Sequence, residues 1–287
     1  MYTALQPGTL GIRGLSLPEA VALARDSGHA GLVFDVRQAT ELAEAQGIDA
    51  LRALFADAGV IPASWSVPGS ATDDPAALAE RAELPRYAAV AAALGCARAT
   101  GFQFPGNDDQ TWDEQWERAL ARIRPVAETL RANGSWYGIE FCGPKTFRDT
   151  FAHSFVFSMG GLRELAAAVG TGNVGVLLDA FHLYTAGESV ADLEGVPVAE
   201  IVAVHVNDAV AGRTADEQID RERMLPLTTG VIPLAPFMQA LQAKGYDGPV
   251  VVEPFSAELD ALGGRDPRAA ADVSRRSLAE LWQASGL

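Results

Sequence analysis

Eight short apolar runs, separated by longer Ala- and Leu-rich stretches of helical period, limit what this chain can fold into. They are TLGIRG from Thr9, AGLVFDV from Ala30, VIPASWSV from Val60, RATGFQF from Arg98, WYGIEFC from Trp136, NVGVLLD from Asn173, IVAVHVND from Ile201 and PVVVEPF from Pro249. Most are near-continuously apolar rather than alternating, the pattern of strands buried on both faces. Strand–helix alternation makes the sheet parallel, and eight units favour closure into a (β/α)8 barrel of the α/β class. The alternative is an open doubly wound sheet. Its nucleotide-binding version needs a G-x-G-x-x-G after the first strand, which the sequence lacks.

The punctuation agrees with this reading. Ser16-Leu-Pro-Glu19 and Thr111-Trp-Asp-Glu114 have capping-box spacing and open helices. Asp74-Pro75 puts an N-cap before a proline at the first helical position. Gly28, Gly59, Gly95, Gly170 and Gly245 sit just before strands, where a left-handed residue closes a helix. No linker or low-complexity tract interrupts the 287 residues, so residues 1–287 read as a single barrel domain.

Composition removes several functions. A net charge of −15 disfavours nucleic acid, whose binders need a basic stripe. No apolar run is long enough to span a membrane, and the N-terminus lacks a signal-peptide layout. Cys96 and Cys142 are too few for a disulfide framework or a Cys-type zinc site. A cytoplasmic protein acting on a small molecule is expected. The apolar stretch Arg86–Gly95 is a candidate for pairing subunits into a homo-oligomer, although barrel helices bury such a face anyway.

Chemistry in such barrels sits at the C-terminal ends of the strands. Strands five to eight end with Glu140, Asp179, His205 and Glu253. Taken alone, each reads better as a helix cap, a salt-bridge partner or a core histidine than as a functional group. Together, three carboxylates with no basic residue in the four runs would repel in a shared space of low dielectric. A divalent cation is the simplest way to hold them there. Three oxygens and one imidazole suit Mn2+, Mg2+ or Co2+, with Zn2+ or Fe2+ as further candidates.

The segments GIEFCGPKTFRD, VGVLLDAFHLYT, VAVHVND and GYDGPVVVEPF resemble the xylose-isomerase-like TIM barrels, in particular the sugar phosphate isomerase/epimerase family, which includes ketose 3-epimerases and inosose isomerases and dehydratases. The resemblance covers roughly the second half of the chain. It implies a Glu-Asp-His-Glu metal site on Glu140, Asp179, His205 and Glu253, and a substrate-contacting histidine at His182. In such a site a metal ion polarises a carbonyl and acidifies the neighbouring C–H, leading to an enediolate. Glu140 and Glu253, from strands on opposite sides of Asp179 and His205, are the candidate acid/base pair, an assignment the resemblance also implies. Two bases on two faces give epimerisation, one base with a proton shuttle gives isomerisation, and loss of a β-hydroxyl gives an inosose or dehydroshikimate-type dehydratase. A non-catalytic metabolite-binding barrel is the rival from another class. DNA-repair endonucleases of the same superfamily need a three-zinc site and a positive surface, and this chain has four histidines.

Further substrate contacts are expected from Lys145, in the long loop after strand five, and from Arg223, preferred over Arg213 and Arg221 in the lid-like stretch after strand seven. Trp65 is a candidate wall of a sugar pocket. Phe104 reads as rim packing, Asp35 as a helix cap or site residue, and Cys142 as neutral packing. Relatives often carry Gly-Glu before the GVI of that stretch. Here Leu227-Thr-Thr-Gly230 stands instead, so no role is carried over to the missing acid. No Walker loop is present, and the word phosphate in the family's name is not evidence for a phosphorylated substrate.

Overall fold

The computed structural model describes residues 1–287. Its eight central strands are β1 (Tyr2–Leu5), β2 (Gly31–Val33), β3 (Ile61–Ser66), β4 (Arg98–Phe102), β5 (Trp136–Glu140), β6 (Val174–Asp179), β7 (Ile201–Val206) and β8 (Pro249–Val252). All neighbours are parallel and β8 closes on β1, giving the expected closed barrel. Every residue of β6 and β7 is buried, which explains their unbroken apolar runs: one face looks into the barrel and the other meets helices.

The first strand is not where the sequence suggests. Only Thr9 and Leu10 of TLGIRG are in regular structure, the end of a 3-10 turn, Pro7–Leu10, and the strand is the four-residue run Tyr2–Leu5 before it. Gly11 ends that turn at φ 74°, and a Cβ there would lie 2.2 Å from the Asp260 carbonyl oxygen. The turn is thus docked against the C-terminal part of the chain rather than paired in the sheet.

The helices begin and end largely as read. Both capping boxes form, and the Asp74 carboxylate accepts the Ala76 and Ala77 N–H groups. Asp35 caps the helix Val36–Gln46, accepting the Arg37 and Gln38 N–H groups. The relevant helices are α1 (Leu17–Asp26), α2 (Val36–Gln46), α3 (Ile48–Ala58), α4 (Pro75–Ala82), α5 (Leu84–Ala93), α6 (Trp112–Ala132), α7 (Lys145–Arg148), α8 (Met159–Val169), α9 (Ala180–Thr185), α10 (Leu234–Ala243), α11 (Ala257–Arg265) and α12 (Pro267–Ser285). Two helices, not one, follow each of β2 and β3. After β6 only the six-residue α9 and two 3-10 turns form, because Gly187, Gly195 and Pro197 interrupt any longer helix. On α5, Tyr87, Ala88 and Ala91 are buried, so the core uses that apolar face. No helix is long and apolar enough to cross a membrane.

Candidate metal centre

Strand register assembles the site. In the parallel β6–β7 pair Val176 stands opposite Ile201, but a register shift after Val176 puts Asp179 opposite His205. Without that shift Asp179 would face Val204. Since side chains alternate faces along a strand, a one-residue slip would separate the acid from the imidazole. Glu140 ends β5, and Glu253 lies one residue beyond β8, its N–H bonded to the Val206 carbonyl.

Donor atoms of Glu140, Asp179, His205 and Glu253 lie within 4.8 Å of one another. His205 Nδ1 is 3.3 Å from Glu140 Oε1, 3.4 Å from Glu253 Oε2 and 3.9 Å from Asp179 Oδ2. Atoms each about 2.1 Å from one ion lie about 3.0–3.4 Å apart when adjacent and about 4.2 Å apart when opposite, so the spacing fits one coordination sphere. His205 Nδ1 and Glu140 Oε1 are buried without a hydrogen-bond partner. Two orphaned polar atoms facing each other in a native interior call for an explanation, and a shared cation supplies one.

The carboxylates do not behave alike. Burial first, and then the charge of Glu253, push the Glu140 carboxyl up to about 7. Burial also acts against ionised Glu253, but His205 and Arg223 outweigh it and hold this carboxyl below its ordinary value. Burial opposes protonation of His205, yet the surrounding carboxylates raise it well above the usual imidazole value.

Asp179 serves two purposes, one per oxygen. Oδ1 caps α9 by accepting the Phe181 and His182 N–H groups, while Oδ2 faces His205 and Arg223. Cap and site residue are therefore the same residue. Asn207 Nδ2 donates to both Asp179 oxygens, at 3.2 and 3.0 Å, and to the Glu253 carbonyl, fixing the carboxylate's orientation. Its place in VHVND, two residues past His205, was the available signal.

The basic residue missing from the strand runs arrives from the loop after β7. Arg223 is fully buried, and its Nη1 is 2.9 Å from both Asp179 Oδ2 and Glu253 Oε2. Phe181 and Phe255 stack on the guanidinium at 4.7 and 4.6 Å. Phe255 does so from a strained backbone, φ 40°. Nη2 reaches Asp220, at the edge of the site.

His182, buried beside the cluster, takes the Gly143 N–H on Nδ1 at 3.3 Å. A neutral imidazole accepts at one nitrogen only, and the Gly143 N–H and the Arg223 guanidinium compete for that one acceptor. Burial, followed by the charge of Arg223, pulls this imidazole down to about 3 and keeps it neutral. Its Nε2 stands 3.0 Å from Arg223 Nη2 and 3.8 Å from Asp220 Oδ1.

A cavity of about 710 Å³ opens above these groups, walled by Phe102, Phe104, Phe147 and Phe255, with Glu140, Glu253, His182 and Arg223 at its floor. Phe104 thus lines the cavity rather than only packing the rim. Two expected contacts are not brought there. Lys145 is half-exposed on α7 and pairs with Asp216 at 3.4 Å. Trp65 is fully buried in the core, its ring turned away from solvent by strand alternation. Cys142 is buried, and burial pushes its thiol up, consistent with packing.

A family model described as xylose isomerase-like TIM barrel matches residues 21–281. An inosose isomerase of Halalkalibacterium halodurans is 30% identical over 149 residues, 50% of this chain and 48% of the relative. The chain thus matches about half the length of that curated relative. Among solved structures, a xylose isomerase domain protein from Alicyclobacillus acidocaldarius superposes with TM-score 0.85 at 31% identity, covering 100% of both chains. An IOLI protein with a bound zinc atom superposes with TM-score 0.76 at 18% identity, covering 100% of this chain and 98% of that one.

Proposed function

The chain belongs to the xylose isomerase-like TIM barrel family, and from that premise we propose that it is a divalent-metal-dependent isomerase or epimerase of a ketose or related polyol ketone. The observation that carries this reading is the convergence of four buried donor atoms, two of them orphaned, at the floor of an aromatic-walled cavity. Glu140, Asp179, His205 and Glu253 would hold the ion. Its identity is left open among Mn2+, Mg2+, Co2+, Zn2+ and Fe2+; zinc is the ion in the IOLI protein. When bound, such an ion supplies Lewis-acid polarisation of a substrate oxygen.

The remaining work falls to the chain's own groups. Glu140 and Glu253 approach His205 from strands on its two sides and can take a proton from one face of a carbon and return one to the other. His182 Nε2 and Arg223 Nη2 lie 3.0 Å apart beside Asp220 Oδ1, at the cavity floor. A substrate oxygen placed against this pair would hold its carbonyl over the carboxylates. The phenylalanine walls exclude water and strengthen these polar contacts. Loss of a β-hydroxyl from the same site would make the protein an inosose or dehydroshikimate-type dehydratase, the second reading.

The test is solvent-deuterium exchange into free ketoses and inososes by metal-loaded protein, followed by product NMR. Metal-dependent C–H exchange is expected, and product stereochemistry separates epimerase, isomerase and dehydratase. Absence of exchange with all of them, together with a Glu140→Gln variant altered only in metal affinity, would overturn catalysis in favour of a binding barrel.

A further inference from the structure

A second cavity, on the far side of Phe104 from the candidate metal centre, has a charge balance opposite to the rest of the molecule. It lies between α6 and the loops after β3 and β4, with a volume of about 250 Å³. Arg118, Arg122 and three glutamines are among its polar lining, and no carboxylate lines it, in a chain with 37 acids and net charge −15. Beside it, Arg81, Arg118 and Arg122 all converge on one acid: Asp73 is 2.6, 2.8 and 3.5 Å from them. No other carboxylate pairs with any of the three. Asp108, on the neighbouring loop, is engaged with the Ala152 N–H.

An arginine staple between α4 and α6 would need one carboxylate per guanidinium or close to it. Here the two arginines that line the cavity, Arg118 and Arg122, share a single carboxylate, which Arg81 engages from the other side. The Arg122 side chain is 9% exposed, yet its Nε has no acceptor. Its Nη2 donates to Gln103 Oε1 at 2.7 Å. Arg118 uses Nε on Asp73 and Nη1 on Gln110, leaving Nη2 without a protein partner. Burial, and the neighbouring guanidiniums after it, act against the charge on Arg122, and Asp73 alone does not offset them. A buried orphaned donor on an undercompensated cation marks a place where an oxyanion is wanted.

We propose that this cavity binds a phosphate group, with Arg118 and Arg122 as its principal ligands. A phosphate monoester carries about −1.5 to −2 near neutral pH, a charge of the sign that the undercompensated Arg118 and Arg122 lack, and its oxygens suit guanidinium forks. The group can arrive as free phosphate or on a sugar phosphate. The Gln103 N–H bonds the Glu140 carbonyl, so the site stands one residue from the candidate metal centre. The proposal does not rest on the isomerase reading, because binding is measured without turnover.

The experiment is calorimetric titration of the full-length, metal-stripped protein with inorganic phosphate, and separately with fructose 6-phosphate and fructose. Saturable one-site binding of phosphate, with Kd of about 1 mM or tighter, is expected. Arg118→Gln, at a partly exposed position, should weaken it at least ~10-fold. Arg122→Gln should do the same; if that variant does not fold, Arg118→Gln decides alone. Fructose 6-phosphate binding more tightly than phosphate, with the same dependence on Arg118, assigns the group to a sugar; equal affinity assigns it to free phosphate. No saturable binding of either up to ~20 mM, or binding indifferent to Arg118→Gln, overturns the proposal.

Discussion

Asp208 offers the sharpest test of how the loop after β7 is held over the site. Its buried carboxylate accepts four backbone N–H groups. Oδ1 takes Ala209 at 2.9 Å and Ile232 at 3.1 Å; Oδ2 takes Thr229 at 2.9 Å and Gly230 at 2.7 Å. Its backbone exchanges two hydrogen bonds of 2.8 Å with Met224, the residue after Arg223. In Asp208→Asn one oxygen becomes an NH2 group. The remaining oxygen would serve the buried pair, Ala209 and Ile232, and Thr229 and Gly230 would then face a donor. Each lost bond to a charged acceptor costs about 1.5–3 kcal/mol. Thr229 and Gly230 are partly exposed and water replaces some of that loss, so about 2–4 kcal/mol is expected. The cost falls first on local opening of residues 209–232, and by about 1.4 kcal/mol per decade it should accelerate exchange of the Met224 and Thr229 amides by ~30- to 1000-fold. Hydrogen exchange read by NMR, with limited proteolysis to map new cuts, checks this. Exchange within ~3-fold of the parent would refute the claim that this carboxylate anchors the loop and, through it, Arg223.

Other outcomes follow from the same geometry. Asn207→Ala removes one of the groups that orient the Asp179 carboxylate and should weaken divalent-metal binding about 10- to 100-fold in a chelator competition; unchanged affinity would show that the α9 cap and Arg223 orient it without Asn207. His29 is buried against Ser27, and burial pulls its imidazole from 6.5 down to about 4. Its folded value is depressed, so the unfolded chain binds the proton first; stability is full above about 6.5 and falls by up to about 3 kcal/mol as pH drops to about 4. Urea melts across that range should show the loss in the parent and not in His29→Gln. Gly263→Ala would place a Cβ 1.9 Å from the Leu10 carbonyl oxygen, where α11 meets the Pro7–Leu10 turn. A loss of about 2–3 kcal/mol in denaturant unfolding is expected, and a neutral substitution would argue against that contact.

Local sequence carried most of the architecture. Strands buried on both faces must be apolar throughout, so seven of the eight runs fell on barrel strands, and capping boxes need only three-residue spacing to be recognised. An acid or imidazole ending such a run is conspicuous for the same reason, which made Glu140, Asp179, His205 and Glu253 readable as one set. The first strand was not legible, because Tyr2–Leu5 is too short for a pattern and is selected by pairing with β8 and β2.

What tertiary structure alone decided depends on contacts between segments distant in sequence. The register shift in β6 puts Asp179 beside His205; side-chain direction has period two, and no run of letters reports a one-residue slip. The same periodicity sends Trp65 into the core while Phe104 reaches the cavity. Arg223 crosses 44 positions to meet Asp179, held there by Asp208 and two aromatic rings. Lys145, much nearer Glu140 in sequence, turns to Asp216 instead. The sequence by itself determined which side chains end the strands. Which charges meet above them was decided by loop packing, because the field inside a cavity depends on distance in space and not along the chain.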